Sequence, residues 1–183
     1  MGLNRYVKGT KKYGILYTTS ENFELIGYTD SDWAGSIDDR KSTFGYVFHR
    51  RSRAISWASK KQPIVALSLA EAEYVAATTT TCQVVWMRRM LRSLCHEQVK
   101  VTIVYYDNSS AITLSNNSVF HKGTKHIYAK YHYIRELVSN GEIVLNHCKT
   151  EEQFADILTK PLGQKSLNHL RECLGMQDIS SCN

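Results

Sequence analysis

The sequence has few of the features that mark disordered, membrane-spanning or collagen-like chains. Only 2 of its 183 residues are proline and 10 are glycine, which excludes a collagen-like or low-complexity chain. No apolar run reaches the length of about eighteen residues that a transmembrane helix needs, and the charged first residues are not followed by an apolar block. We therefore expect no membrane partner and no secretory signal. Hydrophobic residues make up 43% of the chain, which is enough apolar surface for one folded domain.

A disulfide framework and a zinc site are not indicated either. The five cysteines are scattered, odd in number and without a CxxC pair, a pattern typical of reduced intracellular thiols. His121, His126 and His132 have the spacing neither of a zinc finger nor of a helical metalloprotease motif, so we expect no zinc. The 23 basic residues exceed the 17 acidic ones, which gives a net charge of +6. This charge is compatible with a polyanionic partner but does not identify one.

Residue patterns predict a mixed α/β domain with a five-stranded sheet. Short runs of aromatic and β-branched residues with polar links predict three antiparallel strands at 23–33, 43–50 and 54–60. A long segment without Gly or Pro predicts a helix from Ser68 to about Leu94. The other predicted elements are a strand at Val99–Tyr106, a short helix after Asp107, a helix from about Ile127 to Ser139, a strand at 141–148, and a helix from Thr150 to about Lys160 that opens with a capping box. Because helices precede the fourth and fifth strands, we expect both to add in parallel, and the nearly continuous apolar fourth strand to be buried on both faces.

Four acidic positions lie where such a sheet can bring them together. Asp30 is on the first strand, Glu71 or Glu73 is in the first turn of the long helix, Asp107 follows the fourth strand, and Asp156 is in the last helix. Glu71 and Glu73 point to nearly opposite sides, so at most one of them can join Asp30. Taken alone, Asp107 is more typical of a helix N-cap. Clustered carboxylates, however, are tolerated where hard cations neutralise them, and two magnesium ions held in this way can promote phosphodiester hydrolysis.

Several motifs in order carry a resemblance to a known family. They are GYTDSDWAG, RKSTFGYVF, ISWASKKQPIVALSLAEAEYVAA, VYYDNSSAI, KHIYAKYHYIREL and TEEQFADILTKPL. They resemble the ribonuclease H domain at the C-terminal end of a copia-type, plant-like LTR retrotransposon Pol polyprotein, from about Arg5 to Leu162. RYVKGTKKYGILY resembles the tether to the reverse transcriptase. The resemblance implies a ribonuclease H-like fold at 23–162, the end of the tether at 1–22 and a C-terminal tail at 163–183, all as a piece of a longer chain.

The same resemblance implies an activity and its partners. The expected reaction is metal-dependent hydrolysis of the RNA strand of an RNA–DNA hybrid during reverse transcription, with two Mg²⁺ ions or with Mn²⁺ in their place. The second expected partner is the reverse transcriptase domain of the same polyprotein. The implied location is the cytoplasm, in a virus-like particle of the element.

Residue by residue, the resemblance implies that Asp30, Glu73, Asp107 and Asp156 are the catalytic metal ligands. Ala72-Glu73-Tyr74 matches the family pattern for the helix acid, with Glu71 as the alternative. His147 is a loose counterpart of a histidine that assists turnover in cellular relatives. Matches to substrate-contacting positions are found at Ser68 and Asn108, whose short polar side chains suit sugar and phosphate oxygens.

Basic residues indicate where hybrid phosphates would run. The predicted rim consists of Lys60, Lys61, Arg88, Arg89, Arg92, Lys122 and Lys125. Binding through them should weaken with salt, and a solvated surface is an equal alternative for each residue taken singly. Trp33, Trp57 and Trp86 are expected in the core or at its edge rather than as base-stacking platforms.

Two other functions compete with this interpretation, and the order of the acids argues against the first. Integrase and transposase cores share the implied fold but place a glutamate last among their acids, whereas here a glutamate comes second and an aspartate last. A relic or co-opted domain could bind nucleic acid or a protein without cutting. That reading is kept open by Tyr128, which stands where copia-type domains usually carry an acid, and by the further departures Leu69 and Tyr106.

Overall fold

The structure, a computed structural model, describes residues 11–17, 24–50, 53–107 and 125–181. The short helix predicted after Asp107 and the loop with Lys122 lie outside the described residues. In chain order the strands are β1 (Tyr13–Ile15), β2 (Leu25–Asp32), β3 (Thr43–Arg50), β4 (Arg53–Lys61), β5 (Thr102–Tyr106), β6 (Ile143–His147) and β7 (Met176–Asp178). The helices are α1 (Leu69–Ser93), α2 (Lys125–Ser139) and α3 (Gln164–Cys173), with 3₁₀ turns at Thr150–Glu152, Phe154–Leu158 and Ile179–Ser181.

A five-stranded mixed sheet lies at the centre, with the strand order β4-β3-β2-β5-β6. β3 pairs antiparallel with both β2 and β4, whereas β5 pairs parallel with β2 and β6 pairs parallel with β5. The predicted arrangement of three antiparallel strands followed by two parallel strands is therefore confirmed. The sheet has a core on each face, because alternate residues of β3 enter different apolar clusters: Phe48 packs with α1 and α2, and Val47 packs with Phe154 and Leu174.

The long helix α1 forms although four consecutive threonines, Thr78–Thr81, are weak helix formers. The hydroxyls of Thr78, Thr79 and Thr80 each donate to the carbonyl oxygen four residues earlier. Thr80 Oγ1 also lies 2.8 Å from Thr29 Oγ1 of β2, and both side chains are buried. Packing against the sheet thus stabilises a helix segment whose intrinsic propensity is low, as tertiary context commonly does.

The fourth predicted strand is shorter than expected, and the prediction that both of its faces are buried is wrong. β5 covers only Thr102–Tyr106, and its residues alternate between buried and half-buried. Val99 and Val101 are 91% and 40% exposed and precede the strand. The alternation arises because the large core lies on one face only, with Val104 and Tyr106 in it, while Tyr105 faces the smaller cluster and stacks on Tyr28.

The prediction of a helix from Thr150 to Lys160 is also wrong. Two 3₁₀ turns replace it, and Thr150 is not an N-cap, because Lys149 takes that position without a side-chain cap. Gln153 separates the turns with an extended backbone (φ −80°, ψ 91°). Its fully buried side chain donates from Nε2 to Thr29 O at 3.0 Å and accepts from Ala155 N at 3.2 Å. A continuous helix is broken because Gln153 is hydrogen-bonded to the sheet.

Residues 163–183, which the resemblance predicts to be a C-terminal tail, contain α3 and β7 in their described part. β7 pairs antiparallel with β1 in a separate two-stranded sheet, and Arg171 lies over the Tyr13 ring at 3.8 Å. The two ends of the described chain therefore pack together.

The domain boundaries implied by the resemblance stay predictions. Among the described residues, none of the helices combines the length and apolar character that a membrane span requires.

Candidate metal centre

The sheet register brings the first two predicted acids side by side. β2 and β5 run parallel with Tyr28 opposite Tyr105. Two residues further along, Asp30 on β2 and Asp107 just after β5 are neighbours at the carboxyl ends of both strands. This edge is where parallel strands of α/β sheets place ligand sites.

The third acid, Asp156, comes from the 3₁₀ turn that packs across the sheet. Gly45 on β3 pairs with Asp30, and a Cβ at Gly45 would lie 2.8 Å from Leu158 Cβ and 2.9 Å from Thr159 Cγ2. The absence of a side chain at Gly45 thus lets the turn come close to β2. One carboxylate oxygen from each of Asp30, Asp107 and Asp156 lies within 4.8 Å of the other two.

This carboxylate cluster is largely removed from water and is partly neutralised from within the chain. Asp30 is 1% and Asp156 is 4% exposed. Lys160 Nζ lies 3.0 Å from Asp156 Oδ1 and 3.6 Å from Asp30 Oδ1, and the Thr159 hydroxyl donates to Asp30 Oδ2. Burial raises the pKa of Asp156 to about 6 against the opposing hydrogen bond from Lys160. The pKa of Asp107 is also raised, by burial and by the Asp30 charge.

Glu73 faces the cluster from α1, and Glu71 does not. Glu73 is 3% exposed, and burial together with the charges of Asp30 and Asp107 raises its pKa to about 9. Its Oε2 accepts no hydrogen bond within the described part of the chain, and Glu73 lies outside the group of three mutually close carboxylates. Glu71 instead caps α1: its Oε2 accepts from Leu67 N at 2.7 Å and its N–H donates to Ser68 Oγ at 3.2 Å.

Two buried glutamines hold the elements of the site in register. Gln62 donates from Nε2 to Ala72 O at 2.8 Å and to Ser31 Oγ at 3.2 Å, which joins the start of α1 to β2 next to Glu73 and Asp30. Gln153 joins the segment of Asp156 to β2 in the same way. Sequence reasoning missed both glutamines, since their partners are distant in the chain.

Sequence reasoning also missed Thr159 and Lys160. The Asp156–Lys160 spacing of four residues is a local signal that could have identified Lys160 as a partner of an acid. No local signal could have identified Thr159, whose partner Asp30 lies 129 residues away.

The other predicted site residues have mixed positions. His147 ends β6 and is exposed, with Nε2 3.1 Å from the backbone oxygen of Asp107. Ser68, which was predicted to contact substrate, is the N-cap of α1. Asn108, predicted to do the same, lies outside the described residues.

Lys60 and Lys61 end β4, where the sheet register aligns them with the C-terminal residues of β2. Lys61 Nζ also lies 3.2 Å from an Asp39 oxygen.

Parts of the predicted rim have other roles. The Arg88 guanidinium donates to Lys100 O, Thr102 Oγ1 and Gln98 O at 2.8–2.9 Å, so it joins α1 to the entry of β5 and is not free for phosphate. Arg92 pairs with Glu97 at 2.8 Å. The tryptophans were expected in the core or at its edge. Trp33, Trp57 and Trp86 are 47%, 55% and 55% exposed, so none of them lies in the core, and a position at its edge stays a prediction.

Comparisons with solved structures settle the fold. LC11-RNase H1 in complex with an RNA/DNA hybrid matches with a TM-score of 0.53 at 17% identity, over 79% of this chain and 99% of that chain. The foamy viral protease-reverse transcriptase in complex with an RNA/DNA hybrid matches with a TM-score of 0.55 at 14% identity, over 84% of this chain and 22% of that chain. This chain has the ribonuclease H fold. The fold implied by the sequence motifs is therefore confirmed.

Sequence comparisons give homologues of this ribonuclease H-fold chain. It is 45% identical over 172 residues to a retrovirus-related Pol polyprotein from transposon TNT 1-94 of Nicotiana tabacum, which covers 94% of this chain and 13% of that polyprotein. The corresponding polyprotein from transposon RE1 of Arabidopsis thaliana is 38% identical over 175 residues, with 96% and 12% covered. The chain thus spans about an eighth of the length of these relatives. No protein-family model matches it.

The carboxylates of this ribonuclease H fold fit a hard divalent cation. All donors are carboxylate oxygens, the ligands that Mg²⁺ and Mn²⁺ prefer. Among the described residues, no group donates a hydrogen bond to the buried Glu73 Oε2, and a cation or its bound water would satisfy this oxygen. Asp30, Asp107, Asp156 and Glu73 are the residues that would hold metal.

The raised pKa values predict that metal-free stability falls as pH rises. An acid with a higher pKa in the folded state binds more protons folded than unfolded, so the free energy of unfolding decreases between its two pKa values. For Asp156 this window runs from 3.8 to about 6, and for Glu73 from 4.5 to about 9. Even a pKa raised by about two corresponds to about 2–3 kcal/mol, or about 4–12 °C in Tm for a domain of this size.

Thermal unfolding in EDTA from pH 5 to pH 9 measures this effect. Glu73→Gln should flatten the fall in Tm, because it removes the group with the widest window, and Glu71→Gln is the matched control that should keep the wild-type slope. If Tm fell with pH equally steeply in wild type and in Glu73→Gln, the result would contradict the inference that Glu73 is buried and protonated in the metal-free protein.

Proposed function

We propose that this chain is a metal-dependent nuclease of the ribonuclease H type that hydrolyses the RNA strand of RNA–DNA hybrids during retrotransposon reverse transcription. The observation that carries the proposal is the buried cluster of Asp30, Asp107 and Asp156 with Glu73 facing it. The homologous Pol polyproteins from transposons support the part of the proposal that places this activity in retrotransposon reverse transcription. The proposal includes the reverse transcriptase of the same polyprotein as partner and the cytoplasmic particle as location.

The four acids would hold two Mg²⁺ ions, with Mn²⁺ as the alternative. When bound, these cations supply an attacking water of lowered pKa and charge stabilisation for the leaving oxygen of the phosphodiester. The protein fixes the positions of their ligands. Thr159 holds one oxygen of Asp30, Gln153 anchors the turn of Asp156 to β2, and Gln62 anchors the helix end that carries Glu73.

The surroundings of the cluster suit a substrate strand. His147 is exposed, with Nε2 3.1 Å from the backbone oxygen of Asp107, and an imidazole ring can both donate and accept a proton, so we assign it to proton transfer or product departure beside that ligand. Lys60 and Lys61 are exposed at the same end of the sheet as Asp30 and supply positive charge for phosphates. The Ser68 hydroxyl, which accepts from Glu71 N, keeps its own hydrogen for a substrate oxygen. Asn108 is proposed with them from the motif alone.

Cleavage of a hybrid with separately labelled strands tests the proposed function. With Mg²⁺ or Mn²⁺, the full chain should cut the RNA strand of the hybrid and leave single-stranded RNA, duplex DNA and the DNA strand of the hybrid intact. An absence of cleavage with both metals, while the hybrid is still bound, would contradict the enzyme and favour a binding module that does not cut.

The two helix acids should respond differently in the same assay. Glu73→Gln is expected to reduce cleavage by about 100-fold or more, because one charged metal ligand is replaced by a neutral amide. Glu71→Gln is expected to keep most of the activity, since its carboxylate caps α1 and the loss of a cap costs only about 1 kcal/mol of stability. Initial rates at saturating Mg²⁺ measure both effects. The reverse order of effects would contradict the assignment of Glu73.

A further inference from the structure

We propose that the Lys160 ammonium is a built-in counter-cation, which holds the carboxylate cluster together in the metal-free protein and competes with metal ions for Asp30 and Asp156. The inference rests on the proposed function, because it concerns the same acids. It goes beyond that function by assigning a role to a residue outside the ligand set, namely control of how tightly the site takes up a divalent cation.

The position of Lys160 is that of a bridging cation. Its Nζ lies 3.0 Å from Asp156 Oδ1 and 3.6 Å from Asp30 Oδ1, so a single positive charge reaches two carboxylates that belong to different elements. The other oxygen of Asp30 accepts from Thr159. A divalent ion that binds these aspartates through Oδ1 therefore has to displace the ammonium.

The burial of the partners gives this contact its strength. Both carboxylates are almost fully buried, at 2% and 6% side-chain exposure, whereas the Lys160 side chain is 35% exposed. An uncompensated buried carboxylate is costly, and two neighbouring ones also repel each other. Lys160 removes much of this cost. It also lies at the solvent side on a flexible four-carbon stem, so it can move away when a cation of higher charge enters.

Competition of this kind has a defined consequence. The protein does not need metal to keep its acids together. The net binding free energy of a cation is the free energy of its own interaction with the carboxylates minus that of the ammonium it displaces. A neutral side chain of similar length at position 160 should therefore destabilise the metal-free protein and tighten metal binding. A merely structural ion pair would give the first effect without the second.

Calorimetric titration of the full 183-residue chain with Mn²⁺, without nucleic acid, tests the proposal. Lys160→Met should bind Mn²⁺ about tenfold more tightly than wild type, because the positive charge that competes for Asp30 and Asp156 is gone. In EDTA its Tm should be lower than that of wild type, and its Tm should rise more on addition of Mn²⁺. Lys160→Arg keeps the charge and should bind Mn²⁺ with an affinity near that of wild type. Lys165→Met removes an exposed lysine nearby and is the control that should change nothing.

The outcomes separate the two proposals. An unchanged or weaker Mn²⁺ affinity of Lys160→Met, beside a wild type that binds Mn²⁺, would overturn the role of Lys160 and leave the metal site standing. If Lys160→Met fails to fold, Lys160→Gln is titrated in its place and has the same expected result. A wild type and variants that all bind no Mn²⁺ would overturn both proposals. Hybrid cleavage is measured separately, so a loss of activity cannot be mistaken for a loss of metal binding.

Discussion

Asp107→Asn is expected to reduce hybrid cleavage strongly and to weaken Mn²⁺ binding, while the metal-free protein becomes more stable. Asp107 lies at the carboxyl end of β5 with a carboxylate oxygen close to those of Asp30 and Asp156. An amide has a similar shape but no charge to hold a hard cation. The loss of about 4 kcal/mol of transition-state stabilisation would reduce the rate by about 10³-fold.

The Tm of Asp107→Asn shows whether a loss of cleavage comes from the missing metal ligand or from misfolding. The pKa of Asp107 is raised by burial and by the neighbouring Asp30 charge, so the ionised carboxylate destabilises the metal-free fold at neutral and higher pH. A neutral amide removes this repulsion, and Tm in EDTA at pH 8 should rise. Asp38→Asn, at an exposed position in the turn between β2 and β3, is the matched control that should keep both rate and Tm. Cleavage by Asp107→Asn at the wild-type rate would contradict the proposed centre.

Gly45→Val is expected to damage the same centre without touching any acid. Gly45 pairs with Asp30 across β2 and β3, and its added Cβ would meet Leu158 Cβ at 2.8 Å and Thr159 Cγ2 at 2.9 Å. The turn that carries Asp156, Thr159 and Lys160 would have to move away from the sheet. Overpacking of this kind costs about 1–3 kcal/mol, or about 2–12 °C in Tm. A displacement of about 1 Å in the reacting groups can cost about 100-fold in rate.

Thermal unfolding, Mn²⁺ titration and hybrid cleavage should all report this displacement. Gly45→Ala should change each in the same direction but by less. Gly163→Val is a matched control, because no atom lies within 4 Å of a Cβ built at Gly163. If Gly45→Val kept the wild-type Mn²⁺ affinity and cleavage rate, the close packing of the turn on β3 would not determine the position of Asp156.

Much of the fold could be predicted from local patterns. Alternating apolar residues and short polar links marked β2, β3 and β4, and the long segment without Gly or Pro marked α1, because these signals come from neighbouring residues. The same kind of reasoning failed where distant contacts prevail. The Thr150 capping box did not open a helix, since the Gln153 side chain bonds to Thr29 O on β2. The apolar run at Val99 extended the predicted β5 too far, because Val99 has no core to enter and is 91% exposed.

By itself, the sequence determined which acids are available and which strands and helices carry them. The choice between Glu73 and Glu71 was left open by the residue pattern, although the family motif favoured Glu73. Tertiary structure placed Glu73 in the interior near Asp30 and Asp107 and used Glu71 as a helix cap. Only the packed chain could reveal that Thr159 and Lys160 contact Asp30. The physical reason is that burial, charge repulsion and ion pairing depend on distances in space, and these acids are separated by up to 126 residues of chain between Asp30 and Asp156.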